Sequence, residues 1–213
     1  MTPPAATISR SRARSLAAGR RRRAMAGTFA AVGILVVAIV LAMPLFRAAV
    51  NDIDGLPLSY SDVIRQQAAD KHLDPALVAA VIYAETKFDP RPSSAGAEGL
   101  MQILPQTAEF LARRSGATTF HVSDLATPEV NIAYGSYYIR YLLDEYHGST
   151  MLALAAYNGG ETNVDSWLAT ARDRGRTLTV QEIPFPQTRA YVEKVLKAQR
   201  DYRRTYASQL GYS

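Results

Sequence analysis

The amino-acid sequence predicts an all-α domain that follows a single N-terminal transmembrane helix. Apolar residues recur at helical spacing in seven segments between residues 61 and 206. The alternation that marks a strand is convincing nowhere, and only residues 177–183 have a pattern that could form a short β-hairpin arm. Ahead of these segments, residues 24–46 form an apolar stretch without a charge. No internal repeat is present, so we expect one compact domain after the apolar stretch.

The positive charge of the chain is concentrated at its N-terminus. The net charge is +5, but seven of the 24 basic residues and none of the 19 acidic residues lie within the first 46 positions. The rest of the chain therefore carries a slight excess of acidic side chains, which argues against a nucleic-acid-binding domain. The absence of cysteine excludes disulfides, thiolate metal ligands and a cysteine nucleophile.

Residues 24–46 are long enough to span a membrane, because a helix rises about 1.5 Å per residue and the hydrocarbon core is roughly 30 Å thick. The basic tail, residues 1–23, predicts a cytoplasmic N-terminus, with everything after Arg47 outside the plasma membrane. The length of the stretch disfavours a buried core helix. A cleavable signal peptide has the same order of charges and is the stronger alternative. We favour the anchor because the apolar region of a signal peptide is shorter, and no convincing small-x-small cleavage site follows this stretch.

Three boundaries follow from composition. Glycine and proline interrupt residues 47–59, which predicts a short linker. The folded domain is expected over residues 60–206, and residues 207–213 are left as a C-terminal tail.

The first two helices have recognisable start signals. Ser61 and Asp62 are candidate caps for a helix that reaches about Lys71. Asp74 followed by Pro75 predicts the N-cap and first position of the second helix. That helix carries an apolar stripe that we expect to face the core. The stripe consists of Leu77, Ala80, Val81 and Ala84.

The later helices follow a loop rich in proline, serine and glycine, residues 89–99. Gly116 and Gly148 stand where helix-ending glycines are expected. The predicted helices cover residues 105–114, 128–146, 150–157, 161–172 and 187–206.

Four sequence blocks occur in a specific order along the predicted domain. They are Ala84 to Ala108, which contains Gly99-Leu-Met-Gln102, then Asn131-Ile-Ala133 with Gly135 and Tyr138, then Ala155-Ala-Tyr-Asn-Gly-Gly160, and finally Thr188-Arg-Ala-Tyr-Val192. Together they resemble the signature of the SLT-type lytic transglycosylases, relatives of goose-type lysozymes. The resemblance covers about residues 60–202. It implies a lysozyme-like helical domain that acts on peptidoglycan glycan strands, on the cell-wall side of the plasma membrane.

The resemblance also implies the roles of individual residues, with Glu85 as the catalytic acid. It places six further residues around the substrate: Ser93, Met101, Gln102, Tyr157, Asn158 and Tyr191. Two positions depart from the family pattern. Thr86 replaces the usual serine and keeps a hydroxyl, whereas Gln187 replaces the usual glutamate and loses a charge.

The physical reading of Glu85 agrees with the implied role. Cleavage of a glycosidic bond requires a protonated carboxyl near the bridging oxygen. A glutamate at the end of an apolar helix, walled by Met101 and Tyr191, can have its pKa raised for that purpose.

A second carboxylate, which ordinary glycosidases require, has two candidates nearby. Asp89 stands in Phe-Asp-Pro, a loop-capping context, and Glu98 occupies a variable position of the signature. The resemblance implies instead that the C6 hydroxyl of muramic acid attacks the anomeric carbon and forms a 1,6-anhydro end. A lysozyme-like hydrolase on the same fold and a non-catalytic wall-binding scaffold are the alternatives.

The remaining aromatic and histidine residues have structural interpretations. Four tyrosines at helical spacing predict core packing, and Trp167 is expected to be packed as well. The three histidines are isolated from one another, so we expect no metal site and no cofactor. The tyrosines are Tyr134, Tyr137, Tyr138 and Tyr141.

Overall fold

A computed structural model describes residues 55–90, 93 and 96–212. The chain divides into two units, and the second, Leu56–Ser213, contains nearly all of the described residues. The predicted basic tail and transmembrane helix lie outside the described residues. In the described part, no helix is both long and apolar enough to cross a membrane.

The described part is helical, as predicted. We number its α-helices α1 to α7 in chain order. They are α1 Ser61–Asp70, α2 Pro75–Glu85, α3 Pro105–Ser115, α4 Pro128–Glu145, α5 Thr150–Gly159, α6 Glu161–Asp173 and α7 Pro186–Thr205. Two 3₁₀ helices cover Val122–Ala126 and Val180–Glu182. One isolated antiparallel bridge joins Glu98 and Ile103, and the described residues contain no β-strand.

The ends of the helices confirm most of the predicted signals. The Asp74 side chain caps α2 by accepting a hydrogen bond from the backbone N–H of Ala76. Gly116 ends α3 in the left-handed conformation, with φ of 73°. The predicted cap of α1 is wrong. Tyr60 is the N-cap, in a left-handed conformation without a side-chain cap bond, and Asp62 pairs with Arg65 instead.

Helix α2 is the centre of the domain. Every residue from Ala76 to Ile82 is buried, so the helix is covered on all sides rather than along one stripe. Ala84, which was placed in the stripe, is only half-buried because it lies in the last turn. Helices α1 and α7 pack against α2, and α7 makes the larger contact. A helix that is apolar on all faces is stable only when other elements cover it. Because Glu85 is the last residue of this helix, it lies where the chain leaves the core.

The β-hairpin arm predicted for residues 177–183 is wrong. The segment contains one turn of 3₁₀ helix in which the Glu182 carboxylate accepts hydrogen bonds from the backbone N–H and the hydroxyl of Thr179. Leu178 and Ile183 are buried. The apolar residues Leu178 and Ile183 attach the loop to the core, and the segment pairs with no strand in the described part.

Both ends of the domain extend beyond the predicted boundaries. The Tyr202 hydroxyl donates to the carbonyl oxygen of Pro57 at 2.5 Å, and Leu56 packs against the core. At the other end, Leu210 is buried and the Tyr212 hydroxyl bonds with Asp74. The compact unit therefore begins four residues before the predicted start and includes most of the predicted tail.

The aromatic residues pack among themselves at the edge of the core. Tyr134 stacks on Phe120 with ring centroids 4.4 Å apart, and Tyr138 packs on Tyr157 at 5.1 Å. The tyrosines of the predicted group are half-buried. Trp167 is 8% exposed, which confirms its packed position.

Candidate active site

Glu85 is the last residue of α2, and the chain turns sharply after it. Thr86 leaves the helical conformation, and Lys87 and Phe88 then adopt positive φ angles of 53° and 64°. Two consecutive left-handed residues that are not glycine are uncommon and cost conformational free energy. The surrounding structure must hold this turn in place.

The Thr86 hydroxyl supplies one such constraint. It donates a hydrogen bond to the carbonyl oxygen of Leu100 at 2.8 Å, which joins the end of α2 to the loop that follows. Threonine in place of the usual serine therefore keeps the hydroxyl that makes this hydrogen bond.

The loop of residues 96–103 is fixed from the other side by Asn131 of α4, which is fully buried. Its side chain accepts from the backbone N–H of Met101 at 2.8 Å and donates to the carbonyl oxygen of Glu98 at 2.9 Å. Gly99 is required beside it, because a Cβ there would lie 2.1 Å from the Asn131 amide nitrogen. The sequence block containing Asn131 was recognised, but this role was not.

Met101 differs from its predicted place in the groove wall. Its side chain is fully buried against Gly135, where an added Cβ would lie 2.3 Å from the Met101 sulfur. The Met101 side chain has no exposed surface that a sugar can contact. Its backbone carbonyl accepts a 2.8 Å hydrogen bond from the Tyr157 hydroxyl, so Met101 orients a neighbour of Glu85 instead.

Glu85 lines a cavity of about 460 Å³. Gln102 lines it, with a backbone φ of 50° and a side-chain amide that donates to the carbonyl oxygen of Gly99. The cavity is lined by Ala84, Glu85, Thr86, Lys87, Asp89, Gln102 and Lys194. Of the two candidates for a second catalytic carboxylate, Asp89 lines this cavity and Glu98 does not.

Burial raises the pKa of Glu85 to about 7, while a hydrogen-bonding interaction with Tyr191 and the charge of Lys194 oppose the rise. A carboxyl group with this pKa is partly protonated at neutral pH. The Tyr191 hydroxyl is buried and forms no hydrogen bond of normal length and angle with the described residues. It lies near enough to Glu85 to influence its pKa, but not in ideal bonding geometry. Burial and the nearby Glu85 charge also raise the pKa of Tyr157 and Tyr191.

Lys194 is a member of this site that sequence reasoning missed. Its ammonium group donates a 2.7 Å hydrogen bond to the carbonyl oxygen of Ala84, the residue before Glu85. The available signal was its position in α7, three residues after Tyr191 and hence on the same face of the helix.

Two other predicted residues lie apart from this cavity. The Asn158 side chain accepts a 2.9 Å hydrogen bond from the Thr188 hydroxyl and lines a second cavity, of about 420 Å³, together with Gln187. Ser93 stabilises a turn, in which its hydroxyl oxygen accepts from the backbone N–H of Ala97 at 2.9 Å. Of the predicted residues, Gln102, Tyr157 and Tyr191 are thus brought to Glu85.

Comparison with known proteins gives consistent matches. Residues 62–180 match the family model described as "Transglycosylase SLT domain". The chain is 32% identical over 153 residues to the soluble lytic murein transglycosylase of Escherichia coli (strain K12), which covers 70% of this chain and 24% of the relative. It is 28% identical over 179 residues to the membrane-bound lytic murein transglycosylase C of Edwardsiella ictaluri, covering 72% of this chain and 49% of that one.

A solved structure of lytic transglycosylase Slt from Pseudomonas aeruginosa, an inactive mutant with glutamine in place of a glutamate, is 30% identical. It has a TM-score of 0.65 and covers 72% of this chain and 25% of that chain. The chain thus spans about a quarter of the length of the soluble relatives.

Proposed function

The chain belongs to the transglycosylase SLT domain family, and we propose that it is a lytic transglycosylase that cleaves peptidoglycan glycan strands, with Glu85 as the acid. The relatives named above are lytic murein transglycosylases, and murein is peptidoglycan. The observation that carries the proposal is the Glu85 carboxyl, which stands in a cavity at the end of an enclosed helix with its pKa raised to about 7. A purely binding surface has no need of such a group.

The reaction requires two proton transfers at one carboxyl group. Glu85 donates its proton to the glycosidic oxygen between N-acetylmuramic acid and N-acetylglucosamine, and the bond from that oxygen to the anomeric carbon breaks. The C6 hydroxyl of the muramic acid then attacks the anomeric carbon, and the Glu85 carboxylate takes its proton. The products are a 1,6-anhydromuramic end and a glucosamine end with a free C4 hydroxyl, and no water is consumed. The inactive glutamate-to-glutamine mutant of the Pseudomonas aeruginosa relative supports a glutamate in this role.

Three further proposals concern residues around the sugar. Tyr191 is the strongest, because its buried hydroxyl has no hydrogen bond of normal geometry within the described part. Gln102 lines the acid's cavity, and Asn158 lines the second cavity.

Hydrolysis by water is the second candidate, and one observation favours it. Asp89 lines the same cavity as Glu85, and ordinary glycosidases use a second carboxylate to activate water. The internal C6 hydroxyl has a large proximity advantage over water, which favours the transglycosylase reaction.

Product analysis separates the two reactions. The full chain, purified in detergent, is incubated with peptidoglycan sacculi, and the fragments are analysed by mass spectrometry with and without borohydride. We expect fragments that end in 1,6-anhydro-N-acetylmuramic acid, one water lighter than hydrolysis products and unchanged by borohydride. Mostly reducible muramic ends, lost in Asp89→Asn, would establish the hydrolase instead. Wall binding without cleavage would indicate a scaffold.

We also propose that residues 24–46 anchor the protein as a single-pass membrane protein, with the N-terminus in the cytoplasm and the domain on the cell-wall side. The support is the arginine-rich tail before an uncharged apolar stretch, and a relative that is described as membrane-bound. A short connection over residues 47–55 would then carry the compact unit.

Reporter fusions test this orientation. An alkaline phosphatase reporter fused after Ser213 should be active, because it folds only outside the cytoplasm, and the protein should remain with membranes in high salt. Activity of a cytoplasm-only reporter at the same point would contradict the orientation. Release with a new N-terminus between residues 42 and 50 would indicate a cleaved signal peptide.

A further inference from the structure

Lys194 holds the end of the helix that carries Glu85. It lies one turn after Tyr191 in α7, and its ammonium group donates to the carbonyl oxygen of Ala84 at 2.7 Å. Its charge also lies 5.5 Å from the centre of the Tyr83 ring. These contacts place the ammonium group at the rim of the Glu85 cavity.

The bonded carbonyl belongs to the part of α2 that most needs a partner. The last four carbonyl groups of a helix have no partner within the helix, and together they form the negative end of its dipole. Glu85 stands at that negative end. A cation bonded to Ala84 satisfies one of these carbonyls and offsets the field that would otherwise disfavour a carboxylate there.

The groups that face Glu85 come from three elements. Helix α7 contributes the Tyr191 hydroxyl and Lys194, helix α5 contributes the Tyr157 hydroxyl, and the turn after α2 contributes Lys87 and Asp89. Lys194 and Lys87 are close enough for their charges to repel, and burial together with this repulsion lowers the pKa of Lys194. The Lys194 ammonium group bonds to the Ala84 carbonyl oxygen, and its charge opposes the rise in the Glu85 pKa.

We propose that Lys194 is a positioning residue of the reaction, which fixes the last turn of α2 and supplies the positive charge that Glu85 faces once its proton has left. The inference rests on the proposed role of Glu85 as the acid. In the first step the carboxylate forms in a partly buried cavity, and in the second it must keep its place to accept the proton of the C6 hydroxyl. Lys194 stabilises the state between these steps.

Two readouts test this role in the full chain, solubilised in detergent. The first is the titration of the Glu85 side-chain carboxyl carbon by NMR in protein labelled with ¹³C-glutamate, with the signal assigned by its loss in Glu85→Gln. The second is the pH profile of glycan cleavage. In Lys194→Gln, which keeps a donor but no charge, we expect the Glu85 titration and the alkaline limb of the profile to move to higher pH. We expect kcat to fall about fivefold, with KM nearly unchanged.

Lys194→Arg and Lys197→Gln are the controls. The arginine variant keeps the charge and should restore the wild-type titration. Lys197 lies one turn further along α7 and pairs with Asp201 at 2.8 Å, so its substitution should change neither readout. An unchanged Glu85 titration in folded Lys194→Gln would overturn the proposal, as would an equal shift in Lys197→Gln. If Glu85→Gln still cleaves peptidoglycan, the proposed acid is wrong, but the titration still reports whether the two residues interact.

Discussion

The two ends of helix α2 differ in how fully their polar groups are bonded. At its start, the Asp74 carboxylate is bonded by the backbone N–H of Ala76, the Gln199 amide, Arg203 and the Tyr212 hydroxyl. At its end, the Glu85 carboxyl is half-buried, and the Tyr191 hydroxyl beside it has no hydrogen bond of normal geometry in the described part.

This difference shows how one helix can serve two purposes. Bonds made to Asp74 stabilise the fold, because they form in the folded state alone. An incompletely bonded, partly desolvated carboxyl costs stability and remains available to a substrate. Substitutions at the two ends should therefore separate stability from activity.

Glu85→Gln should abolish glycan cleavage without unfolding the protein. The substitution keeps the shape of the side chain and removes the transferable proton, so activity should fall by about 10² or more. Thermal unfolding should show a stability equal to or above that of the wild type at pH 7. Retained cleavage would mean that another acid operates, and Asp89→Asn is the next variant to examine.

The pH dependence should report the same group. With a pKa of about 7, Glu85 loses its proton as pH rises, so kcat/KM should fall about tenfold per unit well above pH 7. The folded-state pKa lies above the ordinary value of 4.5, so the stability contributed by this group is present below about pH 4.5 and is lost as pH rises through about 7. The free energy of unfolding of the wild type should thus fall relative to Glu85→Gln by about 3 kcal/mol between pH 4.5 and 8. Parallel stability curves for the two proteins would contradict the raised pKa.

Tyr191→Phe should lower activity about tenfold while stability is unchanged or slightly increased, because the hydroxyl it removes is buried without a normal hydrogen bond. The alkaline limb should move to higher pH, since Tyr191 opposes the rise in the Glu85 pKa. Tyr202→Phe is the matched control. It removes a hydroxyl that bonds the carbonyl oxygen of Pro57, so it should cost about 1 kcal/mol of stability and leave activity per folded molecule unchanged. Equal changes of activity and of stability in Tyr191→Phe and Tyr202→Phe would contradict the difference between the site around Glu85 and the rest of the fold.

Asp74→Ala should have the opposite effect to the changes near Glu85. Loss of the helix cap and of the bonds to α7 should lower the free energy of unfolding by about 2 kcal/mol, measured by denaturant titration, with activity nearly unchanged. Asp62→Ala is the control, because the Asp62 side chain is 86% exposed and its pair with Arg65 should contribute less than about 0.5 kcal/mol. A large loss of activity in folded Asp74→Ala would show that the two ends are coupled.

Local signals predicted the helices well, because caps and apolar periodicity act within a few residues. The start of α2 at Asp74-Pro75 and the end of α3 at Gly116 follow directly from such signals. Local signals did not predict the 3₁₀ turn at Val180–Glu182. The buried residues Leu178 and Ile183 of this loop contribute to the same alternating pattern that marks a strand. Met101 shows a related limit, because a residue in a functional block can contribute its backbone while its side chain belongs to the core.

The sequence alone determined the all-α class, the family resemblance and the choice of Glu85, because each depends on residue types at fixed spacing. It indicated only some of the side chains that surround that glutamate, Gln102, Tyr157 and Tyr191 among them. Lys194 is 109 positions from Glu85 along the chain, and it reaches the cavity because α7 packs along α2. The raised pKa of Glu85 likewise depends on burial by distant segments, and burial is a property of the packed domain rather than of any local stretch of sequence.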